Sequence, residues 1–243
     1  MTENLEVKRV VAPVREQVVQ TLTREIIDGR FEPGQRLTER ELTEMLGVSR
    51  TVLRESLRQL ESEGLISLVP NRGPIVRDLT LDEARELYRI REALEGLGAR
   101  LFAERSEPVA VAALEAAFDE VTAAYREGDP GKVLEAKNTF YDAIHTGANS
   151  TTLSKMLSTV LAQVWRWRAV GLSHPNRSSS RSDESVTNLA DVVDAIRSGD
   201  ADRAEAAARH EVRLAAAEVM RILDQRPRTD RATGPSWPGA AST

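Results

Sequence analysis

Cysteine is absent from this 243-residue chain, and histidine occurs only three times. The lack of cysteine excludes disulfide bonds, zinc–thiolate sites and catalysis by a thiol. The chain also lacks an apolar run of roughly 18 residues, the length that a membrane-spanning helix needs. Its first residues have no apolar core like that of a signal peptide. We therefore expect a cytoplasmic protein with no membrane partner.

An excess of positive charge is missing too, because the net charge is −5. Such a balance by itself argues against binding to nucleic acid. The charges are distributed unevenly, however. Arg50, Arg54 and Arg58 recur at every fourth residue, which places them on one face if the segment is helical. Any contact with DNA must therefore come from a small basic patch, with acidic charge elsewhere.

The N-terminal third of the chain shows the pattern of three helices followed by a β-hairpin. The helices are predicted over residues 14–28, 38–47 and 49–63, from the apolar spacing and from capping residues such as Thr38 and Ser49. In the second helix we expect Leu42, Met45 and Leu46 to face inward. Two β-rich runs flank the turn sequence of residues 70–74, which is typical of a hairpin. This order is that of a winged helix.

The segment LTEMLGVSRTVLRESLRQL, residues 42–60, meets the demands of a helix-turn-helix. Gly47 permits the turn, Val48 fills it, and the helix that follows begins with exposed polar residues. Hydroxyl groups there can donate to phosphate oxygens, and an arginine can bind guanine through two hydrogen bonds. The predicted DNA-binding residues are Arg40, Ser49, Arg50, Thr51, Arg54 and, at the wing tip, Asn71, Arg72 and Gly73. The alternative is a solvated arginine face paired with Glu55 and Glu61.

Beyond residue 78 the sequence predicts helices alone. They lie near residues 81–105, 107–127, 130–148, 151–172, 183–198 and 201–225, separated by proline, glycine and serine breaks. The fold class is therefore mostly α: an N-terminal winged helix-turn-helix and a C-terminal all-α antiparallel helical bundle. The predicted organisation is a flexible arm (1–12), a DNA-binding domain (13–78), an effector-binding and dimerisation domain (79–225) and a disordered tail (226–243).

Two sequence segments resemble those of one bacterial family. The string LTERELTEMLGVSRTVLRESLRQLESEGL and the wing sequence PNRG resemble the DNA-binding domain of the GntR regulators. The string EARELYRIREALEGLGARLFAE is similar to the start of the FCD effector domain of their FadR-like subfamily. The resemblance implies a homodimer on a palindromic double-stranded operator, controlled by a small effector that is commonly a carboxylic acid. We expect a repressor.

The resemblance also implies a divalent-metal site, built in many members from an aspartate, a histidine four residues later, and two further histidines. Here these positions correspond to Lys137, Tyr141, Leu189 and His210, so only the last ligand is kept. One imidazole does not hold a divalent ion, which needs several ligands. We therefore expect no bound metal and no other cofactor, with His145 as a conceivable substitute ligand.

Cationic side chains on apolar helix faces are the candidates for binding the effector. Arg91 and Arg168 each fall within an apolar stripe, where a lone charge needs a partner. For Arg91 that partner is either Glu95, one turn on, or a ligand. We expect Lys137, with these arginines, to replace the metal as the partner of a carboxylate. The predicted effector-binding residues are Arg91, Lys137, Tyr141, Arg168, His210 and, by resemblance, the pocket-closing Arg177.

Two other functions compete with the regulator. An architectural DNA-binding dimer without an effector would use its C-terminal half for dimerisation alone, with the interior filled by side chains. An enzyme with a helical active-site domain is the second alternative. The chain has no glycine-rich phosphate loop, no His-Glu-x-x-His and no nucleophile elbow. We therefore do not expect an enzyme.

Overall fold

The computed structural model of the chain describes residues 12–27, 29–78, 80–174, 177–178 and 180–224. The predicted arm, apart from Ala12, and the predicted tail lie outside these residues. The described residues fall into two compact units, one before and one after residue 79. Within them, no helix is long and apolar enough to span a bilayer.

The first unit is a winged helix-turn-helix, as the sequence predicted. Its elements are α1 (Ala12–Ile27), α2 (Glu39–Leu46), α3 (Arg50–Ser62), β1 (Ile66–Val69) and β2 (Gly73–Val76). Helix α3 packs on α1, α2 and β1. The strands pair antiparallel, with Ile66 opposite Val76 and Val69 opposite Gly73. The core is formed by fully buried apolar side chains, among them Leu22, Leu42, Leu53, Leu57 and Ile66.

Local capping fixes the turn between α2 and α3. The Thr38 hydroxyl accepts a hydrogen bond from the backbone N–H of Glu41, and the Ser49 hydroxyl accepts one from the N–H of Val52. Gly47 ends α2 with φ of 63°, in the left-handed region that favours glycine. The inward assignment of Met45 was wrong, because 57% of it is exposed. In this eight-residue helix Leu42 and Leu46 already fill the narrow contact stripe.

The second unit is a bundle of helices. In the described part of the chain these are α4 (Leu81–Arg105), α5 (Pro108–Glu127), α6 (Pro130–Ala148), α7 (Thr151–Ser173), α8 (Arg181–Arg197) and α9 (Ala201–Asp224). Helix α4 is central and contacts α6, α7, α8 and α9, while α5 packs on α6 and α8. Thr80 and Glu83 form the capping box that starts α4.

Small residues bring the central helices close together. A Cβ atom added to Gly147 on α6 would lie 2.5 Å from the ring of Phe102 on α4. Likewise, a Cβ atom on Gly171 of α7 would lie 2.6 Å from Val219 of α9. Helix α4 can therefore lie close to α6, and α7 close to α9.

Candidate DNA-contacting helix and effector pocket

The leading edge of α3 is polar and exposed. Ser49, Arg50, Thr51 and Arg54 all face solvent, whereas Leu53 and Leu57 are buried beneath them. The Ser49 cap leaves free backbone N–H groups at the helix start, where the helix dipole attracts a phosphate. These four predicted DNA-binding residues thus share one exposed surface at the N-terminus of α3.

The arginines of this surface differ in their partners. Arg54 donates from Nε to both carboxylate oxygens of Glu39, at 3.1 and 3.0 Å, and Arg40 pairs with Glu44 at 3.3 Å. Arg50, unlike Arg54 and Arg40, makes no ion pair within the described residues. The alternative pairing with Glu61 is not found, because Glu61 accepts from the backbone N–H of Leu68.

The wing places its polar tip in solvent. Asn71 and Arg72 are exposed at the turn between the strands. Asn71 and Gly73 have φ of 63° and 80°, the left-handed conformation that asparagine and glycine adopt most easily. The tip is therefore a narrow, exposed loop with one cation.

The helical bundle contains a pocket lined by cations. It holds about 480 Å³ of space, counting its mouth. Five predicted residues line it: Arg91, Lys137, Tyr141, Arg168 and Arg177. Arg181 and Glu218 line it as well, together with Tyr88, Tyr125 and the apolar Leu134, Leu172 and Val219. Cations outnumber carboxylates on this wall.

One group of charges beside the pocket is built around Glu211, which is fully buried. Its carboxylate accepts from Lys137 Nζ at 2.7 Å and from Arg181 Nη2 at 2.9 Å, and the Ser185 hydroxyl donates to it at 2.6 Å. Burial opposes ionisation of Glu211, but Lys137 and Arg181 outweigh it and lower its pKa to about 2. Glu211 is therefore an anion that holds two buried cations.

A second group is built around Glu95. Arg91 Nε donates to its Oε1 at 3.3 Å, and His145 Nε2 lies 2.8 Å from its Oε2. The Arg91 guanidinium also lies 5.0 Å from the centre of the Tyr141 ring. Of the two partners considered for Arg91, the structure therefore provides the internal one, Glu95.

Several donors in the pocket have no partner. Arg168 makes no ion pair with any residue the structure describes. Burial, with repulsion from Arg91, lowers its pKa to about 10. Arg181 Nη1 and the Tyr125 hydroxyl are buried without a hydrogen bond, and the Tyr88 hydroxyl lies near Arg91 without a well-formed one. Unpaired buried polar groups are costly and rare, and this pocket collects several donors that the described residues of the protein leave unsatisfied.

Comparison with known proteins decides the family. Residues 14–76 match the bacterial regulatory proteins of the gntR family, and residues 86–213 match the FCD domain. The chain is 32% identical over 238 residues to the HTH-type transcriptional regulator Rv0494 of Mycobacterium tuberculosis, covering 88% of this chain and 92% of the relative. The chain belongs to the GntR family. It is a transcriptional regulator with an FCD domain.

One further relative and one solved structure are similar to this chain. A Paenarthrobacter nicotinovorans protein named "Probable D-xylose utilization operon transcriptional repressor" is 28% identical over 204 residues, 82% of this chain and 85% of its own. The solved structure of Escherichia coli McbR/YncC has the same fold, with a TM-score of 0.73, 24% identity, and coverage of 86% of this chain and 97% of that one.

The GntR chain does not offer the metal ligands that the resemblance implied. At the four positions, Lys137 is an ion-paired ammonium, Leu189 is fully buried and has no ligand atom, and His210 is exposed, which leaves the phenol of Tyr141. In the described part of the chain, no three His, Asp or Glu residues are placed to share a metal. His145, the conceivable substitute, is engaged by Glu95. These residues do not fit a divalent cation.

The assignment of His210 to the effector site was wrong. His210 is exposed, and the next residue, Glu211, is buried in the bundle instead, where it binds Lys137 and Arg181, since successive helical residues differ by about 100°. Sequence reasoning also missed Arg181, because it placed the serine-rich stretch in a loop. In the structure α8 begins at Arg181, two residues earlier than expected, and turns this side chain inward.

Replacing Glu211 by glutamine should strongly destabilise this GntR regulator at pH 7. The change leaves Lys137 and Arg181 buried without an anion, a loss that typically costs about 3–5 kcal/mol. The pKa of Glu211 is lowered from 4.5 to about 2 in the folded chain, so its contribution is complete above pH 4.5 and is lost as the pH falls towards 2. Urea unfolding of the wild type and of Glu211→Gln across this pH range should show the difference in their free energies of unfolding becoming smaller as the pH falls.

The matched control for Glu211→Gln is Glu127→Gln. Glu127 makes a comparable ion pair, with Lys132 at 2.6 Å, but on the surface, where water screens it. This variant should unfold like the wild type at every pH. An equally small effect of Glu211→Gln at pH 7 would contradict the role given to the buried cluster.

Proposed function

We propose that this chain is a homodimeric repressor whose affinity for a palindromic operator is controlled by a small organic acid bound in the FCD pocket. The observation that carries the proposal is Arg168, a part-buried guanidinium that faces the pocket without an ion pair from the described residues. A bound carboxylate supplies what Arg168 lacks, because its two oxygens match the two parallel N–H groups of a guanidinium.

Neighbouring side chains would complete the recognition of this carboxylate. Burial raises the pKa of Tyr88 and Tyr141, so both hydroxyls stay protonated and can donate hydrogen bonds. Lys137, which also lines the pocket, adds positive charge while it remains bound to Glu211. Since the residues present do not fit a metal, we propose that the acid binds without one, to cations that belong to the protein.

We propose a homodimer because a single DNA-binding unit can contact only a short stretch of DNA. One winged helix contacts only a few base pairs, and two copies one helical turn apart multiply affinity and match a palindrome. One apolar stripe of helix α4 runs through positions 90, 94, 97 and 101. Ile90 and Leu97 are 48% and 41% exposed, whereas Leu94 and Leu101 also pack against a cluster within the bundle. We propose that this stripe packs against the second copy.

The direction of regulation is a separate part of the proposal. The word "repressor" in the name of the Paenarthrobacter relative supports repression by this chain.

The pocket also separates this proposal from its alternatives. An architectural dimer would fill the interior of the bundle with side chains, whereas here the cavity is walled by unpaired donors. An enzyme would need a nucleophile or an acid–base pair in the pocket. Glu218, which lines it, is paired with Arg221, and Glu95 and Glu211 behind the wall are held in buried ion pairs. Because the site offers hydrogen-bond donors to an anion and no free catalytic group among its described residues, we infer that it binds a ligand rather than converting one.

The experiment is a retardation assay with DNA flanking the chain's own gene at low salt, with and without a panel of organic acids. We expect two protomers per palindromic duplex, weak binding to a single half-site, and at least tenfold weaker binding in the presence of one acid. Arg168→Met should bind DNA normally but ignore the acid. Arg126→Met, an exposed arginine on α5, is the control and should respond like the wild type. Retardation that no acid alters, with an unmoved Tm, would favour the architectural alternative.

A further inference from the structure

The unpaired donors of the pocket form two groups held by different helices. Arg168, on α7, lies with Tyr88 and Tyr141 near the Arg91–Glu95 pair, as its electrostatic partners show. Arg181, in the first turn of α8, is tied instead to Glu211 of α9 through Nη2, which leaves Nη1 unbonded. The first group therefore lies beside Glu95, through its neighbour Arg91, and the second is held by Glu211.

The Arg181 group contains further donors. The Tyr125 hydroxyl is buried and unbonded, and the guanidinium of Arg177 lies 5.8 Å from the centre of the Tyr125 ring. Arg177 donates to the Ser182 hydroxyl at 2.6 Å but makes no ion pair within the described residues. Arg177 and Tyr125 also line an adjoining recess of about 260 Å³, counting the solvent space at its mouth, so the pocket continues past this group.

The protein's own carboxylates leave two cations unmatched. Glu95 is used by Arg91, and Glu211 is used by Lys137 and one nitrogen of Arg181. Glu218, the carboxylate that lines the wall, accepts hydrogen bonds from Arg221 and from the backbone N–H of Ser178, and it attracts Arg177 only from beyond ion-pair distance. Of the cations that line the pocket, Arg168 and Arg177 remain without a direct ion pair to a described residue. A monocarboxylate carries one charge and makes one bidentate pair, so it would neutralise only one of them.

Resting on the proposed function, we infer that the effector is a dicarboxylate, with one carboxylate on Arg168 and the other on Arg177, Arg181 Nη1 and the Tyr125 hydroxyl. The wall also contains Leu134, Leu172, Ala215 and Val219, which suit a short hydrocarbon spacer. A single phosphate group would concentrate both charges at one end, which favours two separate carboxylates.

The test compares each diacid with partners that lack one charge. Calorimetry on the full chain would use succinate, succinamate and butyrate, then glutarate, glutaramate and pentanoate. A half-amide keeps the shape of the diacid and some of its hydrogen bonds but loses one charge. We expect at least one diacid to bind tenfold or more tightly than both of its partners. Arg168→Met and Arg177→Met should each reduce that diacid to the affinity of its half-amide, and Arg126→Met should change nothing.

Two results would overturn the dicarboxylate inference. They differ in whether the proposed function is contradicted as well. If a monoacid or half-amide binds as tightly as its diacid and still releases DNA, the inference is wrong and the proposed function stands. If none of the six acids binds or shifts the Tm, both are contradicted. Arg177 is part-exposed and outside the buried ion pairs, so its variant should fold, whereas Arg181→Met would disturb Glu211.

Discussion

Arg50→Ala should weaken operator binding roughly 10- to 100-fold, the cost of losing one bidentate arginine–guanine contact. Arg50 is the first residue of α3, is exposed, and has no ion pair within the described residues. It is therefore ready to bind a base without giving up a partner. Because no contact inside the protein is lost, the Tm of the variant should equal that of the wild type. Fluorescence anisotropy with a labelled operator measures the change.

Arg58→Ala is the matched control for Arg50→Ala. Arg58 is exposed on the same helix but lies two turns from its start, so its loss should reduce affinity little and equally for all sequences. Arg54→Ala should have an intermediate effect, because Arg54 must first leave Glu39. If Arg50→Ala and Arg58→Ala weaken specific and non-specific binding alike, α3 contacts only the DNA backbone.

Local signals in the sequence were enough to predict the DNA-binding unit. Thr38, Gly47 and Ser49 act within three or four residues of their own position, and each cap forms as predicted. Met45 shows the limit of such reasoning, because the width of a buried stripe depends on the neighbouring helices. In the bundle, the breaks at Pro108 and Pro130 gave helix starts that agree with the structure to within one residue.

The pocket was only partly predictable, for a physical reason. Arg91 and Arg168 were found because their helices have a clear apolar phase. Helix α9 is rich in alanine, which is tolerated on both the buried and the exposed face, so its phase could not separate His210 from Glu211. The decisive pair, Lys137 with Glu211, joins residues 74 positions apart. No local pattern connects residues so distant, and only the packed structure shows them together.

Arg168→Met should make the ligand-free protein more stable, by up to about 3 kcal/mol. The pKa of Arg168 falls from 12.5 to about 10 on folding, chiefly because burial disfavours its charge. A cation with a lowered folded-state pKa destabilises the fold at every pH below about 10, and that penalty disappears only as the pH rises towards 12.5. Neutral buffers cannot remove the penalty, so substitution is the way to reveal it. Urea unfolding at pH 7 measures the gain.

Arg91→Met is the contrasting variant, since Arg91 carries the same charge on the same pocket wall but is paired with Glu95. Its loss leaves a buried carboxylate without that partner and should cost about 3–5 kcal/mol. The two changes therefore act in opposite directions. A wild-type protein saturated with its acid at 100 times the Kd should gain about 2.7 kcal/mol, a gain that Arg168→Met cannot show. If Arg168→Met is instead destabilised as much as Arg91→Met, then Arg168 holds the fold together and a partner within the protein, rather than an effector, satisfies its charge.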